Sequence, residues 1–238
     1  MMLSKQQKIC GIVGGVGPSA TVDLFRLIIK NTPVKRDQDH LRILIDNYPQ
    51  IPDRTEAILN NAETPVPYML ESVKLLKNAG ANFLVCPCNT AHYFLNEVEK
   101  EVGIPFINMI EETAREIVKC KFRKVGLLST AGTVKVEIYQ KELKKRGVVV
   151  VIPSKNGIEK ETEAIYGPEG IKAGTQYEKS LKNKQLFKEV IEEMKTEGIE
   201  AVIIGCTEIP LCLDENDTDL PLINPTEILA KAVVGRCR

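Results

Sequence analysis

The chain has 238 residues, 43% of them hydrophobic and 27% charged, enough for one large globular domain or two small ones. Its 32 Lys and Arg balance its 32 Asp and Glu, which excludes a general electrostatic pull toward nucleic acid or an anionic membrane. The apolar runs are too short to cross a bilayer, no charged-then-apolar leader opens the chain, and seven cysteines without disulfide-like spacing point to a reducing cytoplasm.

In chain order, β-branched runs predict strands over 8–13, 42–47, 82–86, 105–108, 124–129, 148–152, 201–205 and 221–224. Amphipathic stretches between them predict helices, among them 21–29, 68–79, 185–195 and 226–233. Strand and helix alternating in this way imply an α/β fold of parallel sheets with right-handed crossovers.

The chain also repeats itself. Gly11-Ile12-Val13-Gly14 answers to Gly126-Leu127-Leu128-Ser129 at an offset of 115. Cys88 answers to Cys206 at 118, and Ile104-Pro105-Phe106-Ile107-Asn108 to Leu220-Pro221-Leu222-Ile223-Asn224 at 116. Three segments in one order at nearly one offset predict two similar α/β domains related by a pseudo-two-fold axis. The expected division is 1–109 plus 222–238 for the first and 110–221 for the second, the last strand and helix crossing back. Ligands of open parallel sheets collect at the carboxyl ends of strands, and small ligands often lie between domains. Cys88 and Cys206 each follow a strand, each just before a predicted helix, so the axis turns the two thiols to face one another across a cleft.

Inverting a carbon stereocentre needs one group to remove a proton on one face and another to deliver one on the opposite face. Thiols suit both roles, because a free cysteine titrates near about 8.5. Asn89, Thr90 and Thr207 could donate hydrogen bonds that favour the thiolate, as could a helix N-terminus. Any single cysteine would read as a packing residue, as Cys10, Cys86, Cys120, Cys212 and Cys237 do. Two at equivalent points of a repeat read as chemistry. Cys86-Pro87-Cys88 with His92 has some metal-ligand character, but there are only two histidines and no accompanying Cys-x-x-Cys, so no metal is expected.

Gly15-Val16-Gly17-Pro18-Ser19-Ala20 fits the G-x-G-x-x-A dinucleotide fingerprint. Pro18 removes one donor from any phosphate nest, and no Gly-Lys-Ser/Thr follows. A tight turn for close helix-strand packing, or a loop whose N–H groups hold a substrate carboxylate, are the competing readings. Arg54, in a proline-punctuated loop after the second strand, could grip a carboxylate in bidentate fashion. Lys172, in an irregular stretch of the second half, is a second cation. Glu208 could bind a substrate ammonium or serve a helix N-terminus.

Several segments resemble the aspartate racemases of the aspartate/glutamate racemase superfamily. They are Gly11-Ile12-Val13-Gly14-Gly15-Val16-Gly17-Pro18, Pro49-Gln50-Ile51-Pro52-Asp53-Arg54-Thr55, Pro87-Cys88-Asn89-Thr90-Ala91-His92, Gly170-Ile171-Lys172-Ala173-Gly174 and Gly205-Cys206-Thr207-Glu208. The resemblance implies two Rossmann-like domains, a homodimer, and an isomerase that interconverts L- and D-aspartate, and can also take glutamate, without pyridoxal phosphate or another cofactor. It makes Cys88 and Cys206 the two bases, and sets Arg54 and Lys172 on the substrate carboxylates. Asn47, Gln50, Asn89, Thr90, Thr130, Thr207, Glu208, Gly15 and Val16 would line the pocket. Glutamate racemases usually carry histidine where Glu208 stands, and the aspartate branch more often has methionine at Val16. Rival readings are a maleate-isomerase-like or hydantoin-racemase-like enzyme of the same superfamily, or a non-catalytic dicarboxylate-binding protein.

Overall fold

The computed structural model describes residues 7–238. The reading that residues 1–7 carry no leader therefore falls almost wholly outside the described residues. No helix among those described is long and apolar enough to cross a membrane.

Two parallel sheets organise the chain. The first has the order β2-β1-β3, from β1 (Cys10–Gly14), β2 (Ile43–Asn47) and β3 (Phe83–Val85). The second has the order β5-β4-β6-β7, from β4 (Lys124–Leu128), β5 (Val149–Val151), β6 (Ala201–Ile204) and β7 (Leu222–Ile223). Registers such as Cys10 opposite Phe83 and Val125 opposite Ala201 set β1 and β4 at corresponding central places. The expected strand at 105–108 shrinks to one bridge between Phe106 and Leu84, held by Leu84 N–H to Pro105 O and Ile107 N–H to Leu84 O, both 2.9 Å. Pro105 has no N–H to extend the ladder.

The two faces of each sheet bury different residues, as strand alternation requires. In the first, Cys10, Ile12, Phe83 and Val85 pack beneath α1 (Pro18–Asn31) and α10 (Pro225–Cys237). Val13 and Leu84 face α3 (Val66–Asn78) and α4 (His92–Val102) on the other side. In the second, Val125, Leu127, Ala201 and Ile203 meet α5 (Met109–Lys119) and α7 (Ile138–Lys144). Leu128, Val202 and Ile204 meet α8 (Lys155–Tyr166) and α9 (Leu181–Lys195). Two shorter helices complete the set, α2 (Arg54–Asn60) and α6 (Ala131–Val136), which pack on each other between the halves.

The last strand does not cross back. β7 pairs with β6, and its two residues feed both cores of the second half, Ile223 on one face and Leu222 on the other. Only α10 returns. It does so in exchange: α5, which follows the first half's bridge, buries Ile110, Ala114 and Ile117 against the second sheet, whereas α10 buries Leu229, Ala230, Val233 and Val234 against the first. Each crossing begins with an asparagine N-cap. Asn108 accepts from Ile110 and Glu111 N–H, and Asn224 from Thr226 and Glu227 N–H. α5 and α10 also pack side by side.

Leu229 is wholly buried in the first half's core from the far end of the chain. Leu229→Ala is expected to lower the unfolding free energy by about 2–5 kcal/mol. Urea unfolding would show this as a lower midpoint, and a loss below about 0.5 kcal/mol would contradict the exchanged packing.

Candidate active site

Cys88 lies past the end of β3 and Cys206 past the end of β6, and both line one small buried chamber with Arg54, Thr55, Asn89, Thr90, Thr130, Tyr166, Lys172, Thr207 and Glu208. The chamber encloses about 10 Å3. It adjoins an outer cleft of about 480 Å3 that shares Arg54, Lys172 and Glu208 and is also lined by Gly15, Gly17, Pro18 and Ser19. Nine of the expected site residues thus meet in the chamber (Cys88, Cys206, Arg54, Lys172, Asn89, Thr90, Thr130, Thr207 and Glu208), with Gly15 in the cleft.

Three expected residues line neither space. Val16 turns into the first half's core and is fully buried there. Asn47, at the end of β2, and Gln50 beyond it are exposed. Thr55 and Tyr166, by contrast, enter the chamber without having drawn notice in the sequence. Thr55 follows Arg54 into the first turn of α2, and the Tyr166 hydroxyl donates to its oxygen at 3.1 Å from the end of α8.

The halves touch through hydroxyls. Thr90 Oγ1 of the first lies 3.1 Å from Thr130 Oγ1 and 2.8 Å from Thr133 Oγ1 of the second. Thr207 Oγ1 lies 3.0 Å from the Pro87 carbonyl. Gly132 permits this approach, since a Cβ there would stand 3.0 Å from Thr55 Cα. The glycine loop makes the tight turn. Gly15 has a positive φ of 84°, and a side chain there would overlap the Tyr48 backbone. Gly17 lies against the cleft, where a Cβ would come 2.7 Å from Glu208 Oε1. That carboxylate opposes a pyrophosphate at the start of α1.

Charge inside the chamber is partly compensated. Lys172 Nζ pairs with Glu208 Oε1 at 3.0 Å and lies over the Tyr166 ring, 5.6 Å from its centroid. Burial works against both charges, but each partner's field prevails: Glu208 is held below the usual carboxylate range and Lys172 above its usual value. The Cys206 thiol donates to Glu208 Oε2 at 3.1 Å. Burial first, and the Glu208 charge second, push that thiol well up, against the pull of Lys172. Tyr166 is likewise kept a neutral phenol chiefly by burial.

Arg54 is less spent. One terminal nitrogen donates to the carbonyls of Ile51 (3.1 Å) and Pro52 (2.9 Å), while its buried Nε has no partner. Burial opposes its charge, yet Cys88 and Asp53 beside it hold its proton more firmly than usual.

The helix argument for both thiols needs correcting. α4 starts four residues after Cys88, but Cys206 is followed only by a 3-10 turn, Ile209–Leu211. Pro210 has no N–H to extend an α-helical ladder there. A hydrogen bond to Glu208, not a helix dipole, is what meets Cys206.

His92 serves structure. Its Nδ1 donates to the Cys88 carbonyl (2.8 Å) and its Nε2 accepts from Met109 N–H (3.0 Å), which tie the Cys88 loop to the start of α5 and leave neither nitrogen for a metal.

The sequence pattern of the Asp/Glu/Hydantoin racemase family matches residues 13–233. The chain belongs to this family. Its fold superposes on the aspartate racemase of Picrophilus torridus with a TM-score of 0.82, at 33% identity over 96% of this chain and 93% of that one. The broad specificity amino-acid racemase RacX of Bacillus subtilis is 26% identical over 94% of this chain and 96% of its own length. A glutamate racemase of Aquifex aeolicus is 30% identical over 70% of this chain and 61% of its own. As a family member the protein is an isomerase, an amino-acid racemase with a small amino acid as substrate.

Burial depresses the His92 pKa from 6.5 to about 4. The neutral ring therefore contributes stability that is complete above pH 6.5 and is lost as pH falls toward 4, while the unfolded chain gains a proton the folded one resists. The loss amounts to about 3 kcal/mol. Urea titrations between pH 7 and 4 should show this slope. His92→Asn should lower stability at pH 7 and flatten the slope, and an unaltered slope would remove His92 as its source.

Proposed function

We propose that this racemase interconverts L- and D-aspartate by proton transfer between Cys88 and Cys206, with no cofactor. The observation that carries the reading is one chamber lined by two cysteines from equivalent strand ends, with Arg54 beside Cys88 and the Lys172–Glu208 pair beside Cys206. One thiolate takes the Cα proton and becomes a thiol, while the opposite thiol gives its proton to the other face of the carbon. The two thiols have different surroundings: Cys206 carries its proton in a hydrogen bond to Glu208, and Cys88 lies beside the Arg54 cation.

The charges favour an acidic amino acid. Arg54 and Lys172 give the chamber two cations, only one of them paired with Glu208, to meet the carboxylates of an acidic amino acid. Arg54, with its unpartnered Nε, is the better carboxylate ligand; Lys172 shares its charge with Glu208. Donors at the α-carboxylate are needed because a carbanion-like state must be stabilised, and each such donor is worth several kcal/mol. A space of about 10 Å3 holds roughly one water, so substrate enters when the chamber widens toward the outer cleft. The likeness to the Picrophilus torridus enzyme across nearly the whole chain supports aspartate over glutamate. The resemblance that implies aspartate also supports a homodimer, and seven cysteines without disulfide-like spacing support a cytoplasmic location.

Incubation with L-aspartate in D2O without pyridoxal phosphate should give Cα deuteration by NMR and D-aspartate by chiral chromatography. Cys88→Ser and Cys206→Ser should each lower racemisation by 10^2-fold or more. Turnover of glutamate or neutral amino acids with none of aspartate would overturn the substrate; full activity in either serine variant would overturn the mechanism.

The pH profile tests Glu208. Its carboxylate raises the Cys206 pKa and Lys172 lowers it, so Glu208→Gln removes the raising charge and leaves the lysine's field unshared. The alkaline limb of log kcat/KM against pH should move to lower pH in that variant. Movement to higher pH, or none, would remove Glu208 as the group that tunes Cys206.

A further inference from the structure

Asn89 follows Cys88 and lines the chamber, and its side chain is 2% exposed. Its Nδ2 makes no hydrogen bond within the protein, which leaves two buried N–H donors unmatched. Its Oδ1 accepts a 2.6 Å hydrogen bond from the hydroxyl of Tyr139, fifty positions away on α7 of the other half. Tyr139 is wholly buried in the second half's core, and burial keeps its phenol protonated. The phenol hydrogen is directed to the amide oxygen, and that bond sets the orientation of the amide. The oxygen turns to the phenol and the NH2 turns away.

We infer that Tyr139 is a positioning residue for the reaction: it fixes the Asn89 amide so that the NH2 donates to substrate oxygen beside Cys88. The inference rests on the racemase reading above and extends it to a residue outside the chamber lining. Because the phenol and the amide belong to different halves, the donor is oriented only while the halves are together. The bond also explains why a buried amide with unmatched donors is retained: the donors are matched when a carboxylate, and then the carbanion-like state, occupies the space.

A double-mutant cycle on aspartate racemisation tests this. Asn89→Ala should lower kcat by about 10^2- to 10^3-fold, the usual cost of losing one oriented oxyanion donor. Tyr139→Phe, which deletes one oxygen, should lower kcat about tenfold and change KM little. In the Asn89→Ala background the same substitution should cost less than twofold, since no amide remains to orient. An equal penalty in both backgrounds would show that Tyr139 supports the fold alone and would overturn the inference.

Asn89→Asp gives a reading independent of Tyr139. It keeps the acceptor for the phenol and the size of the side chain, but puts an acceptor where the donor stood, so activity should fall at least as far as in Asn89→Ala. Wild-type activity in Asn89→Asp would mean that the oxygen, not the NH2, faces the substrate, and the inference would fail. The wild-type enzyme in the same assays separates the two readings. If it racemises aspartate and the cycle is additive, only the role of Tyr139 is lost. If it binds L-aspartate in calorimetry without turnover, the racemase mechanism falls, and the cycle read on Kd decides the role of Tyr139. Neither turnover nor binding would overturn both.

Discussion

The arrangement depends on one exchange of helices. α5 leaves the first half at Asn108 to complete the second core, and α10 leaves the second at Asn224 to complete the first. Each crossing is short and capped by an asparagine side chain, so neither helix can retract without uncovering a sheet. The two strand ends that carry Cys88 and Cys206 are thereby kept at one chamber. The hydroxyls of Thr90, Thr130, Thr133 and Thr207 then join surfaces that the helices have already brought together. Hydroxyl contacts are individually weak, each worth about 1 kcal/mol net, and so suit a seam that must part to admit substrate.

Within that frame the two sides of the chamber are not electrostatic copies. The first thiol stands beside an arginine with an unmatched nitrogen, whereas the second donates to a carboxylate already neutralised by a lysine. A duplication gives equivalent positions; it does not oblige them to keep equivalent neighbours. The proposed reaction runs in both directions, and a reversible two-base path tolerates this asymmetry because each thiol gives and receives a proton in turn. Glu208 is central to the difference. It moderates Lys172, accepts the Cys206 proton in a hydrogen bond, and lies against Gly17 across the cleft.

Much of this was legible in the sequence because the relevant signals are local or repeated. Strands such as Ala201–Ile204 carry their own β-branched pattern, and the offset of about 116 residues paired the two cysteines before any contact was known. Partner choice between distant residues was not legible. The pairing of Lys172 with Glu208, and of Tyr139 with Asn89, depends on how loops from two halves meet, and no spacing encodes it. Val16, although part of the loop motif, packs its side chain with Val13 in the first half's core, a placement the motif does not encode. The last strand was assigned to the wrong half because sequence adjacency to α10 suggested a shared destination, whereas Leu222 and Ile223 each satisfy a different face of the second sheet.

The exchange has a consequence for how the chain is made. Synthesis runs from the N-terminus, and part of the first sheet's cover is made last. α1 reaches Cys10, Ile12, Phe83 and Val85 early, but the cover of that face is completed only by Leu229, Ala230 and Val233 of α10. A nascent chain that has just released α5 therefore holds a partly open apolar face, and a message truncated before α10 yields a product with part of that face exposed. Completion of α10 closes the first half and sets its relation to the second in one event, so an intact cleft is the mark of a chain translated through α10.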